Sequence, residues 1–169
     1  FLPEHQIEYM SDEFQSNSKT FLFKRKKRNI KFFISFYIFI FKNIKKIDPD
    51  IIHLHSTFAG FFVRLYYLFL LKRPKIIYCS HGWSFLMEIT YIKRKIYLII
   101  EKILSIKTDI IINISDFEYN QSIRLGISKN KSVKILNTIS NEIKKHDKKV
   151  LNYIDGKINF LFLGRLDRQ

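Results

Sequence analysis

Apolar positions along this chain change period in a regular order: short β-branched runs that suit buried strands alternate with stretches of helical spacing. Ile30, Phe33, Ile34, Tyr37, Ile38, Phe41 and Ile44 recur at helical spacing behind a basic head, with six Lys or Arg among the eight residues 24–31. They predict an amphipathic helix. Asp48-Pro49-Asp50 stops it, since proline restricts the residue before it and cannot continue a helix. Strands at 51–54, 75–79, 109–114 and 133–136 then alternate with helices at 59–71, 90–105 and 115–125. The middle helix of these three carries Ile92, Ile96, Ile99, Ile100 and Ile103 on one face. The last has Ser115 to cap it, Glu118 three residues on in a capping-box pattern, and Gly126 to end it. Upstream, residues 7–10 suit a short strand and 11–19 a polar loop. Strands apolar on both faces, each followed by a helix, predict an α/β fold: a doubly wound, Rossmann-like parallel sheet covered on both sides.

The far end of the chain repeats the motif. Residues 158–163 form another apolar run, closed by Gly164 and Arg165, which suits the opening strand of a second α/β unit. Four lysines within 144–149 suit an exposed connector to it. The expected division is a first domain over 1–152, without its first strand, and a connector with the first strand of a second domain over 153–169. The boundary is placed near 152–156. With no Met at the start and a second domain barely begun, the chain is expected to be an interior piece of a longer protein.

Composition narrows the partners. A hydrophobic content of 47% over 169 residues suffices for one domain with a core. The net charge of +15, from 30 Lys and Arg against 15 Asp and Glu, suits phosphates, nucleic acid or anionic lipid, and equally a surface of plain solvated lysines. A single cysteine excludes an internal disulfide and fits a reducing compartment; Cys79, in a strand pattern, is expected to be an inert core thiol. The most membrane-like stretch, Phe32 to Phe41, is bracketed by Lys31 and Lys42 and is about half the ~20 residues that span a bilayer.

In parallel α/β sheets ligands sit at the carboxyl ends of strands. Here those ends carry His55-Ser56, Ser80-His81-Gly82-Trp83, Ser115-Asp116 and Asn137-Thr138. His81-Gly82 is the most suggestive: an imidazole there faces a cleft, or else is a buried structural histidine. In a cleft it would donate to a sugar hydroxyl or a carboxylate, or act as acid or base. His53 and His55 share one side of a strand, but no third ligand stands close along the chain, so no metal is expected. Asp48 and Asp50 suit a helix stop. A glycine-rich phosphate loop is missing from these residues and would lie upstream. Arg165 at a strand tip suits a diphosphate, or is simply a surface arginine.

Taken together, Asp48-Pro49-Asp50-Ile51-Ile52-His53-Leu54-His55-Ser56, Ser80-His81-Gly82-Trp83-Ser84-Phe85, Glu101-Lys102-Ile103-Leu104 leading into Asp109 to Ser115, Asn137, and Phe162-Leu163-Gly164-Arg165-Leu166 resemble family 4 glycosyltransferases of the GT-B fold. The nearest look-alikes build bacterial capsule, exopolysaccharide or lipopolysaccharide. The resemblance implies two Rossmann-like domains, the first mainly for acceptor and the second mainly for a nucleotide-sugar donor. It implies retaining transfer of a hexosyl-type sugar to a glycan or lipid-linked acceptor, with no cofactor and no metal. By similarity His81 lines the catalytic cleft, Gly164, Arg165 and Asn137 serve the donor, and His55, Ser56, Gly82 and Ser115 line the acceptor side. The family's partner lysine and its Glu-x7-Glu pair would lie beyond Gln169. Asn137-Thr138-Ile139-Ser140 departs from the family's Asn-Gly-Ile/Val-Asp run by lacking the glycine. A cytoplasmic enzyme is implied, with an anionic membrane surface as candidate partner for the basic helix at 24–44, and no nucleic acid. A GT-B nucleotide-sugar epimerase and a non-catalytic basic binding module are the competing classes, and the fragment alone is expected to be inactive.

Overall fold

The computed structural model describes residues 2–3, 21–23 and 30–137. The chain divides into two compact units, Phe1–Ile52 and His53–Gln169. In the first, the short strands β1 (Leu2–Pro3) and β2 (Leu22–Phe23) pair in parallel, Leu2 opposite Leu22. Helix α1 (Ile30–Ile47) forms where predicted, but it buries Phe36, Ile40, Phe41 and Ile44, while Ile34, Tyr37 and Ile38 of the predicted stripe are exposed; the Phe36 ring meets Phe23 edge-on at 4.9 Å. It ends one residue before Asp48, which takes a positive φ of 46° ahead of Pro49. The predicted strand at 7–10, the loop at 11–19 and the basic run 24–29 lie outside the described residues, as do the predicted boundary at 152–156 and strand at 158–163.

The main sheet has the order β3 (Ile51–His55), β4 (Lys75–Cys79), β5 (Ile110–Asn113) and β6 (Ser132–Lys134), and is parallel. Between its strands run α2 (Thr57–Leu68), α3 (Tyr91–Ser105) and α4 (Asp116–Arg124). This is the expected Rossmann-like α/β class, in a sequential strand order. Tyr78 stands opposite Ile111, so Tyr78, Ile111 and, two residues on, Asn113 share one face. All three are fully buried.

That face is held by an unusual wedge. Arg64 of α2, fully buried, ion-pairs with Glu101 of α3 at 2.8 Å and lies 3.6 Å over the Tyr78 ring, whose hydroxyl donates to Glu101 at 3.3 Å. Burial and then the Glu101 carboxylate push the Tyr78 hydroxyl pKa up. Two charges taken from water need such partners, and removing either alone typically costs about 3–5 kcal/mol. Gly60 lets α2 approach: a Cβ there would lie 2.3 Å from the Tyr78 ring. The Glu101 of the family-like stretch is thus a packing residue.

Other elements also differ from the sequence pattern: strand β6 covers Ser132–Lys134 rather than 133–136. Helix α2 covers Thr57–Leu68 rather than 59–71, because the chain must turn to bring Arg73 onto Asp109, where it forms a paired contact at 2.5 and 3.1 Å. Helix α3 matches its predicted span, but it buries Glu101, Leu104 and Ser105, while Ile92, Ile96, Ile99 and Ile103 on the other side stay exposed. The contact with α2 through Glu101 sets that rotation.

Candidate functional site at the carboxyl edge of the sheet

Strand β3 ends in His55 and strand β4 in Cys79, and the backbone N–H of Ser56 donates to the Cys79 carbonyl at 3.0 Å, locking the two ends together. Leu54 is buried and its neighbours His53 and His55 are exposed, as alternation along a strand requires. Past Cys79 the chain turns through Ser80, His81 and Gly82. Ser56 and His81 both hold positive φ, 81° and 52°, and Gly82 follows at 116°. Left-handed backbone at a non-glycine residue is disfavoured and persists where its surroundings impose it, often at functional sites. Gly82 is required for conformation, since a Cβ there would meet nothing within 4 Å.

What imposes the turn is Trp83. Its ring is buried between Tyr78 at 5.8 Å and Phe85 at 5.0 Å, and its Nε1 donates to Asn113 Oδ1 at 2.9 Å. The tryptophan therefore pins the segment carrying His81 to the end of β5. Beside it, Ser80 Oγ and Asn113 Nδ2 are buried without a hydrogen-bond partner.

With the turn fixed, His81 and His55 meet, Nε2 to Nδ1 at 2.7 Å, their rings stacked at 5.1 Å. The His53 ring lies behind His55, centroids 4.1 Å apart and tilted at 46°. Burial, then His53 and His81, hold the His55 pKa below the ordinary histidine value. Cys79 Sγ completes a group whose donor atoms all lie within 4.8 Å of one another. Burial pushes the Cys79 thiol up, against a contact from the His81 backbone N–H that pulls it down, with Glu118 pushing it further up. Cys79 is indeed buried, but the thiol stands beside two imidazoles that the linear sequence keeps apart. The donors that join His55 come from the neighbouring strand and the turn after it, and His53 is not one of the three. The spacing itself was a signal: His53-x-His55 and Cys79-x-His81 are matching i, i+2 pairs at two strand ends.

The other expected site residues fall as follows. His55, Ser56, His81 and Gly82 are brought together and exposed. Ser115 lies at the end of β5, where its hydroxyl oxygen accepts from the Glu118 N–H at 3.1 Å and caps α4. Asn137 is exposed, three residues beyond β6. Gly164 and Arg165 lie outside the described residues. Sequence reasoning named Trp83 at this edge without giving it a role, and passed over Cys79 and Asn113 as parts of it.

The sequence matches the family model described as Glycosyltransferase Family 4 over residues 8–142. It is 41% identical to an uncharacterized 41.2 kDa protein in the cps region of Klebsiella pneumoniae, over 96% of this chain and 47% of that protein. It is 36% identical to the O-antigen biosynthesis glycosyltransferase WbnH of Escherichia coli, over 66% of this chain and 30% of the relative, and equally to the probable O-antigen biosynthesis glycosyltransferase WbiN. The chain spans about half the length, or less, of the curated relatives it matches.

Proposed function

This chain belongs to glycosyltransferase family 4, and from that premise we propose that it is the acceptor-side part of an enzyme that transfers a sugar from a nucleoside diphosphate to a glycan or lipid-linked acceptor in bacterial surface-polysaccharide synthesis. The observation that carries the reading is His81: an exposed imidazole on a strained turn, fixed by Trp83 at the carboxyl edge of a parallel sheet, where ligands of such sheets bind. The relatives named for O-antigen biosynthesis support the pathway.

In the proposed reaction the bond from the anomeric carbon to the diphosphate breaks and a bond to the acceptor oxygen forms, with retention of configuration. The acceptor oxygen then arrives on the face the diphosphate leaves, so a diphosphate oxygen is the nearest base for the acceptor proton. Positive charge develops on the sugar and negative charge on the leaving group. Arg165, with Gly164, is assigned to the diphosphate and Asn137 to the donor side. His81 donates a hydrogen bond to the sugar, and His55, Ser56, Gly82 and Ser115 line the acceptor side. Groups held in place before reaction stabilise such charge without reorganisation. No metal and no cofactor takes part in the transfer, the cationic side chains serving the leaving group.

The acceptor's lipid carrier puts the enzyme at the cytoplasmic face of an anionic membrane. Support comes from α3, whose exposed Ile92, Ile96, Ile99 and Ile103 are accompanied by the exposed Lys93, Arg94, Lys95 and Lys102. The attachment proposed is peripheral; among the described residues no helix is long and apolar enough to cross a membrane.

The test is release of nucleoside diphosphate by the full protein that contains this chain, given nucleotide sugars with and without lipid-linked acceptor. Release that depends on acceptor, and that falls about 100-fold in His81→Ala, is the expected result. Donor interconversion without a glycosylated product would replace transfer by epimerisation.

A further inference from the structure

We infer that His55, Cys79 and His81 form a site for a divalent transition-metal ion of the zinc class, and that the bound ion inhibits sugar transfer by occupying His81. The binding part stands on geometry alone; the inhibitory part rests on the function proposed above.

Zinc takes bonds of about 2.0–2.1 Å to imidazole nitrogen and 2.3 Å to thiolate sulfur, so tetrahedral donors stand roughly 3.3–3.7 Å apart. Here His55 Nδ1 and His81 Nε2 face each other at 2.7 Å, and a ring nitrogen of each histidine lies within 4.8 Å of Cys79 Sγ. Small rotations of two exposed rings, opening one separation and closing the others, bring all three to an ion. Two of the donors are the last residues of adjacent strands, His55 and Cys79. The third sits on the turn that Trp83 anchors. The donor atoms are thus presented by rigid elements, and the backbone N–H of His81 faces the sulfur it would steady as thiolate.

Two nitrogens and a sulfur select ions of the zinc and copper type; magnesium and calcium want oxygen, which this set lacks. Three protein donors leave a fourth position for water or a ligand oxygen. On binding, the thiol proton leaves to solvent and the sulfur–metal bond replaces S–H. The imidazole that donates in the His55–His81 hydrogen bond shifts its proton to its other ring nitrogen, so both facing lone pairs reach the metal. Nothing is oxidised or reduced. With Nε2 bound to the ion, His81 cannot donate to a sugar from that nitrogen, and the ion holds its ring turned towards His55 and Cys79. Among the described residues this is the one such grouping of three potential ligands.

The experiment is an anaerobic titration of the full, reduced protein with Co2+ and then Zn2+, with no nucleotide sugar present. The expected result is a thiolate-to-cobalt charge-transfer band with the intense visible bands of four-coordination, both abolished by Zn2+. Cys79→Ala removes the charge-transfer band. His55→Gln weakens Zn2+ binding by more than about 100-fold, beyond what losing a supporting hydrogen bond does. Circular dichroism checks that each variant folds, and Cys79→Ser gives the same readout should Cys79→Ala not fold. A spectrum without the thiolate band, or with one that persists in the Cys79 variants, overturns the site. In the transfer assay Zn2+ inhibits the wild type, and Cys79→Ala tolerates at least about 10-fold more of it. Metal bound with transfer unaffected overturns the inhibitory role alone. A cobalt spectrum in a protein that transfers no sugar leaves the site standing and defeats the functional reading instead.

Discussion

Gly60 and His81 show how far a single residue's meaning depends on what folds against it. In the sequence Gly60 is a weak spot inside a helical pattern; in the structure it is the place where α2 touches the fully buried Tyr78 ring. Gly60→Ala drives a methyl to 2.3 Å from that ring, and neither side has room to yield, because Arg64 and Trp83 flank Tyr78. A loss of about 2–3 kcal/mol is expected, the upper part of the range for overpacking a tight core, measured as a shift of the urea midpoint; an unchanged midpoint would contradict the packing described. His81 was legible as a candidate because it ends a strand and precedes glycine. Its hydrogen bond to His55 was not, since it joins residues 26 apart in the chain, and only strand pairing makes them neighbours.

Helices were read well where local chemistry decides them. In α4 the Ser115 cap forms, Glu118 Oε2 accepts from the Ile114 N–H, and the helix closes through Gly126 at φ 91° with Ile127 N–H returning to the Ser122 carbonyl. That is a left-handed glycine stop with its paired bonds, and Ser, Glu and Gly at those spacings announce it. In α3 the isoleucine spacing announces a helix equally well but not which side is buried. An apolar stripe ordinarily faces the core; here the ion pair from Arg64 to Glu101 turns it outward. The exposed stripe with its lysines is the face assigned to an anionic bilayer, where basic residues contribute ~1 kcal/mol each near the surface. Ile96→Ser with Ile99→Ser is expected to leave circular dichroism intact and cut sedimentation with anionic vesicles by about 10-fold. Equal binding of the wild type to neutral and anionic vesicles would refute that assignment.

Across the whole molecule, opposite edges of the sheet respond to acid for different reasons. At the amino edge burial raises the Asp109 pKa, but Arg73 and the Ile76 N–H outweigh it and hold the carboxyl below its usual value. A carboxylate lowered in the folded state stabilises above its unfolded value of about 3.9 and loses that contribution as pH falls through the lower folded value. At the carboxyl edge His55, also lowered, refuses below about 6.5 a proton that the unfolded chain accepts. Stability is therefore expected to decline in two stages on acidification. Comparing unfolding midpoints of wild type and Asp109→Asn, the gap should be full near neutrality and shrink below about pH 3.9; a gap independent of pH would remove Asp109 from the lower stage.

The α/β class, the element order and the strand ends that carry polar chemistry were determined by the sequence alone, because hydrophobic period, caps and turn residues are local properties of neighbouring side chains. Register, helix rotation and the meeting of His55, Cys79 and His81 were decided only by the tertiary structure. They depend on which strand lies beside which and on the buried Arg64–Glu101 pair, contacts between residues far apart in the chain that leave no periodic trace.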